Sequence, residues 1–225
     1  MTASEHHGHG EHAAGAAYEH GHEHGHGHGR HYSRDMHDAD WQEVWDHQRD
    51  REAMARGWLD TLDLQPGSRF LDVGSGPGFV SLLAAERVGA AGRVYAMDRS
   101  REALHFLRER LAERDLGNVE PLVGAGDAIP LPEASASHAL VANMLHHDDA
   151  PDAILREVLR VLAPGGAALV VEHDPAATDL QGPPVAERLP ATQVQDWLAA
   201  AGYDGWQACD VGEGRYGLLA YKSTE

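Results

Sequence analysis

The sequence predicts an α/β protein with a doubly wound, mostly parallel sheet that ends in an antiparallel C-terminal hairpin. Three observations predict it. Short runs rich in Val, Leu and Ala alternate with helix-like segments after residue 66, a glycine-rich turn joins the first run to a helix, and the last two apolar runs lie close together. Strands buried on both faces appear as near-continuous apolar runs, and alternation with helices favours parallel pairing. A chain of 225 residues is long enough for one such domain.

The predicted elements follow in order along the chain. Residues 38–62 carry apolar side chains at helical spacing, which predicts an N-terminal cap helix. Helices are also predicted for 77–88, from Ser100 as N-cap to about Arg114, and for 151–162, which "PGG" closes. The last segments, "ATQVQDWLAAAGY", "WQACDV" and "RYGLLAYK", predict a helix and two hairpin strands. The other predicted strands are "RFLDVG", "GRVYAMD", "NVEPLVG", "HALVANML" and "AALVVEH".

Residues 1–37 differ in composition from residues 38–225. They hold 11 of the 17 histidines, with Gly and Ala between them and almost no large aliphatic residues. A segment of this kind cannot bury a core, so we expect a disordered, low-complexity tail before a single domain.

Charge and composition exclude several kinds of partner. The net charge of −18 would repel a phosphate backbone, so nucleic acid is not an expected partner. Cys209 is the only cysteine, which excludes an intramolecular disulfide and a cysteine-based metal cluster. No apolar run is long enough for a membrane span, and the N-terminus lacks the pattern of a secretory signal. We therefore expect a cytoplasmic protein.

The stretch "LDVGSGPGF" places three glycines between a strand and a helix, where bare backbone approaches a ligand. Its pattern is G-x-G-x-G, and Phe79 stands where a dinucleotide-binding loop has its third glycine. The Gly-Lys-Ser/Thr ending of a P-loop is absent. Asp72, two residues before the first glycine, disfavours a pyrophosphate and favours a cationic group. The alternative is a glycine turn without a ligand.

Polar residues follow several predicted strands, at the edge of the sheet where ligands bind in open α/β folds. Asp98 can accept hydrogen bonds from two vicinal ribose hydroxyls. Asp127 can accept from an exocyclic amine while the Ala128 N–H donates to the neighbouring ring nitrogen. These groups predict an adenosine ligand with a cationic, non-phosphate end. The full set is Asp72, Asp98, Asp127, Asn143, His146, His147, Glu172, His173 and Asp174.

Four motifs in this order carry a resemblance over roughly residues 38–222: "FLDVGSGPG", "VYAMDRS", "GDAIPLPEASASHALVANMLHH" and "ILREVLRVLAPGGAALVVE". The chain resembles the class I S-adenosylmethionine-dependent methyltransferases, of the methyltransferase type 11 kind that includes ubiquinone/menaquinone-biosynthesis enzymes. The resemblance implies a Rossmann-like fold and S-adenosylmethionine as the cofactor.

The resemblance also implies roles for individual residues. The loop of Gly74, Ser75, Gly76 and Gly78 would approach the methionyl part, with Asp72 near its ammonium group. Asp98 would hold the ribose, Asp127 and Ala128 would recognise adenine, and the Asn143 backbone would face the methionyl end. Arg99 stands where the family usually has a hydrophobic residue, and its guanidinium either stacks on adenine or is solvated.

His146 and His147 are the candidate catalytic bases, because the family's acceptor faces this loop and histidine titrates near neutrality. The alternative is that one ring packs under the loop and the other faces water. His173 and Asp174 are expected to line the wall. The expected acceptor is a small molecule, selected by residues 38–62 and 174–190. Trp41, Trp45 and Trp58 either line its pocket or belong to the core.

The tail segment "HGHEHGHGHGRH" predicts a metal site. Neutral imidazoles bind Zn²⁺, Ni²⁺, Co²⁺ or Cu²⁺, and the intervening glycines let the chain bring several rings together. A solvated tail that collects metal only in vitro is the alternative. The candidate ligands are His20, His22, His24, His26, His28 and His31.

Two classes of function are consistent with the sequence. One is a small-molecule methyltransferase with a metal-binding tail. The other is a metal-handling or regulatory protein that binds S-adenosylmethionine without turnover. The sequence does not predict the oligomeric state.

Overall fold

The structure, a computed structural model, describes residues 39–177, 182–212 and 214–225. Seven strands form one sheet in the order β3-β2-β1-β4-β5-β7-β6. The first five strands pair in parallel, whereas β7 is antiparallel to both β5 and β6. The predicted fold class is thereby confirmed. The strands are β1 Arg69–Val73, β2 Arg93–Asp98, β3 Val119–Val123, β4 Ala136–Ala142, β5 Leu162–His173, β6 Gly205–Cys209 and β7 Arg215–Tyr221.

Six α-helices surround the sheet in the described residues. Ser100 caps α4 as predicted, because its hydroxyl oxygen accepts the Ala103 N–H at 3.1 Å. The predicted cap helix differs from the structure, which has two helices separated at Asp50 and Arg51. Arg51 leaves the helical region, with φ −111° and ψ 24°. The helices are α1 Trp41–Arg49, α2 Glu52–Thr61, α3 Phe79–Val88, α4 Arg101–Arg114, α5 Pro151–Val161 and α6 Ala191–Ala201.

β5 begins five residues earlier than predicted. The "PGG" segment was expected to separate α5 from the strand, but β5 runs directly from Leu162 through it. Gly165 has φ 74°, and the β4–β5 register shifts between Ala136 and His138. Gly165 adopts this left-handed backbone without strain, so the strand passes through the segment as an irregularity rather than ending there.

Two apolar layers cover the two faces of the sheet. Helices α1 to α4 contribute to one buried cluster, which includes Leu59, Leu83 and Leu104. Helices α5 and α6 contribute to the other, which includes Ile154 and Leu198. The strand order reverses between β1 and β4, and ligands of open α/β sheets bind beyond the carboxyl ends of the strands at such a point.

No helix of the described ranges is both long enough and apolar enough to cross a membrane.

Candidate active site

The glycine loop lies between the end of β1 and the start of α3. Gly74, Gly76 and Gly78 have φ values of 71°, 55° and 83°, in the region that glycine adopts without strain. The N–H groups of Gly74 and Ser75 both donate to the Met97 carbonyl of β2, at 2.9 Å each. These two bonds fix the loop above the junction of β1 and β2.

Asp72 is a buried carboxylate just before this loop. It is only 4% exposed, and the Ser81 hydroxyl donates to its Oδ2 at 2.6 Å. Burial raises its pKa to about 6; the Ser81 hydrogen bond lowers that pKa, and the nearby Asp98 raises it. Because burial disfavours the ionised carboxylate, a cation placed beside Asp72 would relieve an existing electrostatic cost.

Asp98 joins the end of β2 to the glycine loop. Its Oδ2 accepts the Gly76 N–H and its Oδ1 accepts the Ser100 N–H, both at 2.8 Å. An ionised carboxylate offers about four acceptor positions, so two remain for hydroxyl donors. Arg99 beside it is exposed.

Asp127 and Ala128 lie in a turn after β3, and both are exposed. The Ala128 N–H donates to the Ala125 carbonyl at 3.1 Å within this turn. The donor that was expected for an adenine ring nitrogen therefore has a partner within the chain. The adenine contact stays a prediction.

The segment that leaves β4 is strained at its first residue. Asn143 has φ 53°, and its N–H donates to the Val171 carbonyl at 2.8 Å. Its side-chain Oδ1 accepts from Arg215 Nε on β7 at 3.1 Å. Contacts from β5 and β7 thus hold Asn143 at the switch point.

A cavity of about 80 Å³ lies at this point, and its walls combine both signs of charge. They include the Asp72 carboxylate and two arginines, Arg51 from the break between α1 and α2 and Arg215 from β7. The pKa of Arg215 is lowered to about 10, mainly by burial and in addition by the nearby Arg51. Arg215 therefore still carries its charge at neutral pH. The remaining lining residues are Gln48, Ala55, Trp58, Gly74, Ser75, Val80, Leu140, Ala142 and Asn143.

The two candidate bases lie in a short 3-10 helix, Leu145–His147. His146 is 3% exposed, and its Nδ1 lies 2.6 Å from Glu172 Oε2. His147 is half-buried, with its ring centroid 4.2 Å from that of His146. The two rings are thus adjacent, and His147 is the more accessible of the two.

His173 lies next to this pair at the end of β5. Its ring is 6.0 Å from the His146 ring. Its pKa is lowered to about 3, mainly by burial and in addition by Arg215, His146 and Arg188. His173 is therefore neutral at physiological pH, in agreement with a wall position.

Arg188 fastens the described part of the segment that follows β5. It is buried and donates to the carbonyls of Asp174 and Pro183, at 3.0 Å each, and to that of Ala177. A guanidinium has several N–H donors, so one arginine can bond several carbonyls of a loop at once and hold them together. The segment predicted to cap the acceptor pocket is thus anchored beside His173.

The tryptophans serve different parts of the structure. Trp45 is buried in the core and packs edge-on against Phe79, with ring centroids 5.1 Å apart. Trp58 is also buried, lines the cavity, and donates from Nε1 to the Val211 carbonyl at 2.9 Å. Trp41 lies within 3.7 Å of the position that a side chain at Gly76 would occupy.

Three contributions were not predicted from the sequence. Arg51 lies at a helix break that periodicity did not indicate, and Arg215 reaches the cavity only because β7 pairs beside β5. Glu172 was noted as a strand-end residue, but its contact with His146 joins positions 26 apart.

The candidate metal ligands from His20 to His31 lie outside the described residues. Within the described ranges, no group of three or more His, Cys, Asp or Glu side chains is arranged to hold a metal ion.

A family model described as "Methyltransferase domain" matches residues 70–166. Among curated relatives, the ubiquinone/menaquinone biosynthesis C-methyltransferase UbiE of Xanthomonas campestris is 34% identical over 128 residues, covering 56% of this chain and 51% of UbiE. A protein-L-isoaspartate O-methyltransferase of Aeropyrum pernix is 36% identical over 140 residues, covering 61% and 50%. The chain spans between a third and about half the length of the first curated relatives it matches.

Solved structures share the fold over most of the chain. A SAM-dependent methyltransferase from Aquifex aeolicus has a TM-score of 0.73 at 27% identity, covering 81% of this chain and 98% of the other. The [4+2]-cyclase SpnF has a TM-score of 0.68 at 21% identity, covering 79% and 84%, and shows the fold alone. The ordered motifs, the family model over residues 70–166 and the Aquifex structure agree, and together they support a class I S-adenosylmethionine-dependent methyltransferase domain in this chain.

Proposed function

We propose that this protein transfers a methyl group from S-adenosylmethionine to a small-molecule acceptor. The observation that carries the proposal is the cavity at the switch point, which pairs the Asp72 carboxyl with the guanidinium groups of Arg51 and Arg215. A zwitterionic amino-acid head, with one ammonium and one carboxylate, complements such walls. A pyrophosphate would bring negative charge toward the buried Asp72 instead.

The nucleoside contacts follow from the ends of β2 and β3. Asp98 is held by the Gly76 and Ser100 N–H groups, so its free acceptor positions are available to vicinal ribose hydroxyls. Asp127 and Ala128 are the proposed adenine contacts, and Arg99 the proposed stacking residue. S-adenosylmethionine supplies an electrophilic methyl group on a sulfonium, so the protein's main contribution is to orient the acceptor.

The acceptor is proposed to bind between the N-terminal helices and the segment held by Arg188. The excess of acidic residues supports a small molecule over nucleic acid. His146 and His147 are the proposed sources of a proton acceptor on that side. The SpnF likeness shows that this fold also carries other activities, so turnover has to be measured.

A second function is proposed for the tail, where His20 to His31 alternate with glycine. It would bind a divalent transition metal through neutral imidazoles. A metal-handling or regulatory protein that binds S-adenosylmethionine without turnover is the alternative to the enzyme.

Calorimetry with S-adenosylmethionine and with NAD tests the cofactor. We expect S-adenosylmethionine to bind and NAD not to bind. Asp98→Asn should raise the dissociation constant of S-adenosylmethionine about tenfold or more. An amide nitrogen cannot accept a hydrogen bond from a ribose hydroxyl, and hydrogen bonds to charged groups contribute about 1.5–3 kcal/mol. Asp196→Asn, an exposed change on α6, is the matched control and should leave binding unaltered.

Transfer of labelled methyl from S-adenosylmethionine to a metabolite extract tests turnover. NAD binding without S-adenosylmethionine binding would overturn the proposed cofactor. Tight S-adenosylmethionine binding without any labelled product would favour the regulatory alternative. Comparing the metabolites of cells with and without the protein would then identify the acceptor.

A further inference from the structure

Glu172, at the carboxyl end of β5, is a buried carboxylate with both oxygens committed to one loop. It is 1% exposed. Its Oε1 accepts the Leu145 N–H at 2.8 Å, and its Oε2 lies 2.6 Å from His146 Nδ1. Both partners belong to the loop that leaves β4 at the switch point. The cofactor contacts proposed above do not use this carboxylate.

The chemistry of the pair determines where the proton of His146 resides. An ionised carboxylate can only accept hydrogen bonds, so the neutral imidazole carries its hydrogen on Nδ1. The distance of 2.6 Å is short for a bond between nitrogen and oxygen, and bonds to an ionised partner are shorter than neutral ones. The other nitrogen, Nε2, is then the basic atom and points away from Glu172. A carboxylate behind a histidine also stabilises the imidazolium that forms when Nε2 takes a proton.

The neighbouring His173 ring lies in a different environment. His173 is held neutral, because its pKa is lowered to about 3 by burial and by nearby arginines. The contact between Glu172 and an imidazole nitrogen is made to His146, while His147 stacks against that ring. His146 is thus a histidine of this loop that a buried carboxylate orients.

We propose that Glu172 is a positioning residue that holds His146 in the Nδ1–H form, so that Nε2 accepts the proton released by the methyl acceptor. This inference rests on the proposed function. As the acceptor atom bonds to the methyl carbon, the carbon–sulfur bond breaks with its electron pair going to sulfur, and the acceptor proton passes to Nε2. The products are the methylated acceptor and S-adenosylhomocysteine.

The proposal defines a class of acceptor. The methylated atom must lose a proton, as in a hydroxyl group, an amine N–H or an activated C–H. A thioether or a tertiary amine has no such proton, so its methylation would not need the pair.

Glu172→Gln tests the positioning role with almost no change in volume. The amide has one acceptor and one donor where the carboxylate has two acceptors. In the amide variant, the side-chain N–H₂ must therefore face either the Leu145 N–H or the Nδ1–H of His146, which places two donors opposite each other. The imidazole avoids this conflict if its hydrogen moves to Nε2. In that form Nδ1 accepts from the amide and Nε2 can no longer take a proton.

His146→Gln provides the second variant. Its amide N–H₂ can still donate to Glu172, so the loop keeps an anchor while the basic nitrogen is lost. If the two residues act as a unit, the double variant should be no slower than either single variant, because such effects are not additive. Glu120→Gln, a change in β3 away from the site, is the matched control.

Three readouts are needed: ¹⁵N spectra of labelled histidine, the S-adenosylmethionine dissociation constant, and the rate of labelled methyl transfer to the extract. The His146 signal is identified by its loss in His146→Gln. We expect parent His146 in the Nδ1–H form and Glu172→Gln in the Nε2–H form. Cofactor affinity should stay within about threefold, and transfer should fall by about 10²–10⁴ in all three variants.

Equal transfer rates in parent and Glu172→Gln would overturn the inference. So would loss of cofactor binding in step with loss of transfer, since that would make Glu172 a structural support of the loop. His146→Gln with parent activity would exclude Nε2 as the proton acceptor. A parent that binds S-adenosylmethionine but transfers no methyl group would overturn the proposed function itself.

Discussion

At the scale of single residues, the proposed cofactor site contains a carboxyl group that is costly to bury. Asp72 lies at the end of β1 with one hydrogen bond, from Ser81, and its pKa is raised to about 6 mainly by burial. Its raised pKa means that the folded chain holds a proton that the unfolded chain releases. Between about pH 4 and 6 the stability from this group is therefore lost as pH rises. A bound ammonium group would instead favour the ionised form of Asp72.

We expect S-adenosylmethionine affinity to increase as pH rises through about 6, because the ammonium favours ionised Asp72 and binding expels its proton. The change should approach tenfold per pH unit below that pKa. Calorimetry in buffers of different ionisation enthalpy measures the released proton. Ser81→Ala removes a hydrogen bond that lowers the pKa of Asp72, so the inflection should move to higher pH.

Asp72→Asn is the matching control for this pH dependence. It should remove the inflection near pH 6 and weaken cofactor binding. It should also raise the free energy of unfolding at pH 7 by up to about 3 kcal/mol, since two pKa units correspond to about that amount. An inflection that persists in Asp72→Asn would assign the titration to another group.

The residue scale also shows what sequence can and cannot predict. Asp72 and Asp98 were predicted as site residues because they lie near the ends of apolar runs, a feature that is local in sequence. Arg51, Arg215 and the contact between Glu172 and His146 were not predicted, because each depends on a helix break or on how distant segments pack together. Such positions follow from tertiary packing, which the period of apolar residues does not describe.

At the scale of elements, the strands and helices around the glycine loop matched the prediction well. α4 begins after Ser100 and ends at Arg114, and β1 and β2 follow the apolar runs. Errors occurred where backbone irregularity decided the outcome, at the break between α1 and α2 and at the "PGG" segment of β5. Gly165 with φ 74° continues a strand there, although the same residues commonly end a helix.

The junction of α3 and α4 gives a test at this scale. Gly78 has φ 83°, and a Cβ there would lie 2.5 Å from Leu107 Cδ1 on α4. Gly78→Ala should lower the free energy of unfolding by about 1–3 kcal/mol through strain and overpacking. Urea unfolding followed by circular dichroism measures this loss.

Gly57→Ala in α2 is the matched control, because nothing lies within 4 Å of its added Cβ. It should stabilise the protein by about 0.5–1 kcal/mol, since alanine is a better helix former. The double variant Gly78→Ala/Leu107→Ala separates the cost of backbone strain from the cost of overpacking. Shortening Leu107 removes the overlap with the new Cβ but leaves the strain at residue 78. If Gly78→Ala is as stable as the parent, the close approach of α4 to this loop is wrong.

At the scale of the whole molecule, charge is distributed unevenly around a net value of −18. The cavity at the switch point brings two arginines to the ligand side of an otherwise acidic protein. Long-range attraction would therefore favour a cationic partner at the surface, while the cavity itself favours a group that also carries a carboxylate. The histidine-rich N-terminal residues carry the second proposed function, metal binding.

Deleting residues 1–31 tests whether the chain consists of two independent modules. We expect tight Ni²⁺ or Zn²⁺ binding to be lost, while thermal stability and S-adenosylmethionine affinity are retained. The segment holds ten histidines and almost no large apolar side chains that could contribute to a core. Only neutral imidazole coordinates metal, so the affinity of the full chain should fall as pH drops through about 6.5. Calorimetry of both chains with the metal alone measures each effect.

Two results of this deletion would contradict the two-module description. Loss of methyl transfer that added metal does not restore would make the tail part of the active site. Retention of stoichiometric metal would place the ligands in residues 32–225, and His146, His147 and His173 would be the first to test. The second result would be unexpected, because the described ranges contain no group of three or more His, Cys, Asp or Glu side chains placed to hold a metal ion. The tail and the methyltransferase domain should therefore be separable by a single truncation.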